Sequence, residues 1–75
     1  MSEFVFDPPL PLAGNVTVRT LDDAAAFTRN YKTSRQPMVH DGVLRRLEGA
    51  STLEEERNAA NAFRAWIEEE GILRL

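Results

Sequence analysis

Residues 51–71 constrain the fold most, because they contain every signal of one long helix from its start to its end. Ser51 and Thr52 each precede a glutamate by three residues, which is the spacing of a capping box. Three consecutive glutamates occupy the first turn, where they favour the positive end of the helix dipole. Gly71 permits the left-handed residue that ends many helices. The pattern predicts a helix over residues 52–70.

One face of this predicted helix is apolar. Its members recur at helical spacing and are Ala59, Ala60, Phe63, Trp66 and Ile67. We expect most of this stripe to pack in the core. An indole ring, however, is seldom fully buried in a small domain, and its N–H needs an acceptor. The sequence therefore predicts that Trp66 lies at the edge of a contact between subunits, with Phe63 and Ile67 beside it.

The shortness of the chain favours such a contact. A domain of 75 residues buries roughly 60% of the surface that its unfolded chain exposes, so its core is marginal. The chain has no cysteine for a disulfide, and its one histidine disfavours a structural zinc. Neither a calcium-loop pattern nor a glycine-rich phosphate loop is present, so we expect no metal and no cofactor. Close helix packing or self-association must supplement the core.

The beginning of the chain has the signals of extended structure. The β-branched segment that starts at Val16 follows the turn dipeptide Gly14-Asn15. Prolines 8, 9 and 11 cannot donate ladder hydrogen bonds, so they exclude a central strand there. We expect an edge strand over about residues 3–7, a proline-stiffened crossing, and a second strand over about residues 15–19. An alternative is that PPLP is a polyproline ligand for an aromatic groove.

Two further helices are predicted between these strands and the last helix. Thr20 and Asp23 stand in capping positions before an apolar-periodic segment, which predicts a helix over residues 21–31. Pro37 suits the first turn of a second helix over residues 37–48, and Gly49 is expected to be its left-handed cap. Asp41-Gly42 could instead form a hairpin turn, but the flanking residues lack strand alternation.

These elements predict an α+β fold: one domain over residues 1–75, with a short N-terminal β hairpin followed by three α-helices. The run LRRLEGA followed by AANAFRAWIEEEGIL resembles a family of short bacterial proteins known as domain of unknown function 982. The resemblance also includes the turn into VTVRTLDDAAAF, and it covers about residues 9–73. It implies a compact α+β domain with helices packed on a β hairpin, and it implies no activity.

The charges are unevenly distributed along the chain. Residues 19–46 contain six basic and three acidic side chains, whereas residues from 47 onward contain three basic and seven acidic ones. These halves either attract one another, within the chain or across a subunit boundary, or are simply solvated faces. The three glutamates at 68–70 oppose the dipole at their helix end, which suggests an ion pair with the Arg45-Arg46 region of a neighbouring molecule.

Catalysis has little support in the sequence. His40 precedes Asp41, but adjacent helical residues do not face each other, and no serine lies in a nucleophile motif. Nucleic-acid binding is the stronger alternative. Two helices joined by KTSRQP, with basic side chains nearby, loosely resemble a helix-turn-helix, although the connector is long and the chain has a net charge of −3. The basic residues concerned are Arg29, Lys32, Arg35, Arg45 and Arg46.

The sequence thus predicts a non-catalytic interaction or regulatory module that forms a homodimer or docks on another protein. The alternative is a nucleic-acid-binding module that uses the basic middle segment. No apolar run approaches the roughly 18 to 20 residues of a membrane span, and the first residues lack a basic start, so we expect a cytoplasmic protein without membrane contact. The candidate interaction surface consists of Phe63, Trp66, Ile67, Arg45 and Arg46.

Overall fold

A computed structural model describes residues 4–74, and it has an antiparallel β hairpin followed by three helices. The predicted α+β class is confirmed, and the helix ends agree with prediction to within one residue. The structural elements are β1 (Val5–Leu12), β2 (Val16–Thr20), α1 (Leu21–Asn30), α2 (Pro37–Gly49) and α3 (Leu53–Glu70).

Local capping explains where the first and last helices begin and end. The Thr20 hydroxyl accepts the N–H of Asp23 at 3.1 Å at the start of α1. Thr52 and Glu55 form both halves of a capping box at the start of α3. Gly71 is left-handed, with φ 73°, and the Ile72 N–H donates to the Ile67 carbonyl at 3.1 Å. These signals lie within a few residues of one another, so the sequence alone indicates them.

The predicted course of the first strand was wrong. β1 continues through the prolines to Leu12 instead of ending near residue 7, and Glu3 of that prediction lies outside the described residues. The Pro11 carbonyl accepts the N–H of Arg74 at 2.7 Å, so the polar backbone of Pro11 faces away from β2. In an antiparallel pair, a residue facing away needs no ladder bond, so the missing proline N–H does not interrupt the hairpin.

The register of the hairpin is regular only in its second half. Leu10 pairs with Val18 and Leu12 with Val16, whereas the register shifts between Val5 and Leu10. Leu12 also forms an isolated antiparallel bridge to Leu73, so the end of the chain returns to β1. Within PPLP, Leu10 is buried whereas Pro8 and Pro9 are exposed, and the whole motif belongs to β1, so it does not form a free polyproline segment.

The predicted left-handed cap at Gly49 was also wrong. Gly49 is the last residue of α2, and Ala50 follows in an extended conformation with ψ 125°. Only residues 50–52 join α2 to α3, and Thr52 must itself be extended to cap α3. An extended, half-buried Ala50 carries the chain across this short connection, so no left-handed residue is needed.

The core lies where the three helices meet one face of the hairpin, and α3 contributes the largest side chains to it. The rings of Phe6 and Phe27 lie 6.0 and 6.3 Å from that of Phe63. The prediction that the α3 stripe is mostly core is confirmed. The buried apolar residues are Leu10, Leu12, Val18, Leu21, Ala24, Ala25, Val43, Leu47, Ala59, Ala60, Phe63, Trp66 and Ile67.

None of the helices formed by residues 4–74 combines the length and the hydropathy needed to cross a membrane.

Candidate interaction surface

The three apolar residues predicted to line a contact surface lie inside the protein. Phe63 and Ile67 are 0% exposed, so they are not available to a partner in this conformation, and Trp66 is only 1% exposed. The rings of Tyr31 and His40 each lie 5.4 Å from that of Trp66 and cover it. The prediction of a surface contact through these residues is therefore corrected.

The polar contact of Trp66 is internal as well. Its indole N–H donates to the Ser34 hydroxyl at 3.4 Å, and Ser34 in turn donates to the Glu70 carboxylate. The backbone N–H of Arg35 donates to the same carboxylate at 2.9 Å. The Ser34 hydroxyl, followed by the Arg35 N–H, holds the pKa of Glu70 below its ordinary value. This cluster fastens the connector between α1 and α2 to the end of α3.

His40 belongs to the same region but not to this hydrogen-bond chain. Its Nε2 lies 2.6 Å from the Thr28 carbonyl, and its ring packs on Trp66, so His40 is partly buried between α1 and α3. Sequence reasoning missed this assembly because Glu70 lies 36 residues after Ser34 and is also distant from His40 along the chain. The one available signal was the third glutamate of 68–70, which opposes the helix dipole.

The structure assigns different surroundings to these three glutamates. Glu70 is nearly buried in the cluster described above, and Glu68 lies 3.4 Å from Arg64 in an i,i+4 pair. Glu69 is exposed and forms neither an ion pair nor a side-chain hydrogen bond within residues 4–74. Of these three glutamates, Glu69 is thus the one whose charge has no partner among the described residues.

Glu69 stands at the rim of an apolar groove between α2 and α3, which we call the α2–α3 groove. The groove has a volume of about 420 Å³, and the surface that lines it is mostly apolar. Val43 and Trp66 contribute to its floor, and Arg46 stands at its rim. The residues that line it are Val39, Gly42, Val43, Arg46, Ala62, Ala65, Trp66 and Glu69.

Small residues create this groove. A Cβ atom built on Gly42 would meet no described atom within 4 Å apart from its chain neighbours and the nearby backbone of its own helix, so the space beside α2 is open there. Ala62 and Ala65 have short side chains, so the side of α3 that lines the groove leaves this space open. Val39 remains 43% exposed beside the groove, and its neighbour Met38 is 88% exposed. Apolar surface thus continues from the groove onto the start of α2.

The two predicted arginines have different surroundings. Arg45 lies 3.1 Å from Asp41 in an i,i+4 ion pair, whereas Arg46 has no ion pair within the described part of the chain. Residues 50–52 join α2 to α3, so the two helices run in opposite directions. Arg46 is therefore near the connection, and Glu69 is near the opposite end of the α2–α3 groove.

The basic middle segment is partly neutralised. The Arg29 guanidinium lies 2.6 Å from the Glu48 carboxylate, which joins α1 to α2. With Arg45 paired to Asp41, two of the basic side chains expected to face nucleic acid instead face carboxylates.

Among residues 4–74 there is no group of three or more histidine, aspartate and glutamate side chains placed to hold a metal ion. Comparison of the chain with protein-family models, with curated proteins and with solved structures finds no match.

Proposed function

We propose that this chain is a non-catalytic protein–protein interaction module that forms a homodimer through the α2–α3 groove. The observation that supports this most is that two opposite charges without an ion pair among residues 4–74, Arg46 and Glu69, stand at the rim of one apolar groove. The role of the module is regulatory or organisational, and its partner is a second copy of itself.

Two-fold symmetry makes the groove complementary to itself. In such a dimer the same patch is used by both subunits, so a contact from residue i to residue j is matched by one from j to i. Because Arg46 and Glu69 stand near opposite ends of the groove, an antiparallel arrangement brings Arg46 of each copy to Glu69 of the other. This pairing also gives the exposed glutamate a role that the single chain does not provide.

The shape of the groove supports helix packing between the copies. Gly42, Ala62 and Ala65 let a facing helix approach closely, and side-chain ridges of one helix can then enter the grooves of another. The dimer would place α2 and α3 of both copies in a bundle of four helices. A stable interface removes about 800 Å² from each partner, which this chain can supply from a surface of 5085 Å².

Filling the groove tests this arrangement directly. Gly42→Gln adds a side chain into open space in the middle of α2, so the fold should tolerate it while the second copy is excluded. Gly49→Gln is the matched control, because it makes the same change in the same helix outside the groove. Sedimentation equilibrium should give a dimer for the parent and for Gly49→Gln, and a monomer for Gly42→Gln. Equal association of both variants would refute the proposed interface.

We also propose a cytoplasmic location. Fractionation of cells that produce the tagged chain tests this, and recovery of the chain with membranes or outside the cell would contradict it.

A further inference from the structure

A second surface lies at the edge of β2 that does not pair with β1. β1 pairs with β2 on one side and with the end of the chain on the other, through the bridge from Leu12 to Leu73. Within residues 4–74, β2 pairs only with β1, so its other side is an open strand edge. Open edges present backbone donors and acceptors to any extended chain that approaches them.

The backbone groups of Thr17 face this open edge. Thr17 is the register partner of Pro11, whose carbonyl points away from β2 toward Arg74. Pro11 and Thr17 are therefore a non-hydrogen-bonded pair. In such a pair of an antiparallel ladder, both residues direct their backbone N–H and carbonyl groups away from the partner strand, so those of Thr17 point away from β1. Arg19, two residues later, agrees with this, since its N–H donates to the Asp23 carboxylate at 3.1 Å and not to β1.

A groove runs beside this edge, between β2 and α1, and we call it the β2–α1 groove. It has a volume of about 360 Å³ and a largely apolar lining. Val16 and Val18 form its strand side, and Ala26 and Phe27 form its helix side. Asp23 adds a negative charge near the start of α1, and Asn30 adds an amide near its end.

We propose that the β2–α1 groove binds an extended peptide segment of a partner protein, which adds a strand to β2. The unpaired backbone of Thr17 matches the main chain of such a segment, and the groove accepts an aliphatic side chain from it. Asp23 lines the groove and forms no ion pair within the described residues, so its charge favours a lysine or arginine in the peptide. The expected ligand is thus extended, aliphatic and basic.

The β2 strand of a second copy is the competing occupant, because its Val16 is 36% exposed and its Arg19 is an exposed basic residue. Its Val18 is fully buried in its own core, so that strand offers only Val16 to the groove, and the Ala26→Gln variant below distinguishes the two occupants. The β2–α1 groove also shares no lining residue with the α2–α3 groove, so this inference does not depend on the proposed homodimer.

A displayed library of short random peptides, selected against the intact chain, is the probe for this site. We expect the selected peptides to share an aliphatic residue and a basic residue. When added to the ¹⁵N-labelled chain, they should shift the amide resonances of Thr17 and Phe27. Selection of no binder, selection of acidic binders, or shifts confined to other elements would overturn the proposal.

Two exposed alanines provide matched variants for this experiment. Ala26→Gln fills the β2–α1 groove, and it should weaken peptide binding about tenfold or more while leaving the dimer unchanged. Ala65→Gln fills the α2–α3 groove, and it should leave peptide binding unchanged. Equal peptide affinities for the parent and Ala26→Gln would contradict the peptide site. Loss of the dimer in Ala26→Gln would instead assign the β2 edge to a second copy and overturn the inference.

Discussion

At the scale of single residues, Glu70 has the most informative environment. Its carboxylate accepts the Ser34 hydroxyl and the Arg35 backbone N–H, and its pKa is lowered mainly by the Ser34 hydrogen bond. A carboxyl whose folded-state pKa is lowered stabilises the fold above its ordinary pKa, and it loses that contribution as the pH falls through the folded-state value. Acidification should therefore loosen the attachment of the connector to α3.

This gives a prediction for acid stability. As the pH falls below the ordinary pKa of a glutamate, the free energy of unfolding should decrease more steeply for the parent chain than for Glu70→Gln. The glutamine side chain has no charge to lose. Urea titrations across that pH range measure the difference. Glu54→Gln is the control, since Glu54 is exposed and has no ion pair or side-chain hydrogen bond within residues 4–74. Parallel pH profiles for the parent and Glu70→Gln would contradict the assignment.

At the scale of elements, two glycines end two helices in different ways. Gly71 has φ 73°, where a Cβ is unfavourable, whereas Gly49 is the last residue of α2, and a Cβ added there would meet no described atom beyond its chain neighbours and nearby helix backbone within 4 Å. We predict that Gly71→Ala lowers the free energy of unfolding by about 1–2 kcal/mol. Gly49→Ala should leave it unchanged or raise it by up to about 1 kcal/mol. Thermal denaturation of both variants measures this, and equal effects would contradict the distinct cap geometries.

The elements also explain which parts of the fold the sequence could predict. The start of α3 and its end at Gly71 depend on residues a few positions apart, so their signals are complete within a short window. The course of β1 depends instead on a residue distant in sequence, because the backbone N–H of Arg74 donates to the Pro11 carbonyl. Likewise, the extended Ala50 is required by the short passage into α3, which the isolated end of α2 does not indicate.

At the scale of the whole molecule, residues distant in sequence cover the apolar face of α3 that was predicted to be a contact surface. The stripe on α3 was correctly predicted as apolar, but the burial of Trp66 depends on Tyr31, Ser34 and His40, which reach it from the connector and from α2. No local pattern indicates that assembly. Conversely, the α2–α3 groove exists because small residues from two helices meet, and neither helix alone specifies it.

The burial of Trp66 gives a prediction for the whole fold. Trp66→Ala should lower the free energy of unfolding by about 3–5 kcal/mol, because it removes a large core side chain and leaves a cavity. Chemical denaturation followed by circular dichroism measures this loss. A well-folded Trp66→Ala chain of parental stability that only fails to associate would instead support Trp66 as a surface contact.

The most direct test of the homodimer is a charge exchange at the rim of the α2–α3 groove, with molar mass measured by light scattering behind a sizing column. Arg46→Glu and Glu69→Arg should each convert a dimer into a monomer, because each places like charges together across the two-fold axis. The variant with both substitutions restores opposite charges and should be a dimer again. A parent chain that stays monomeric at every concentration, or a double variant that stays dissociated, would contradict the account.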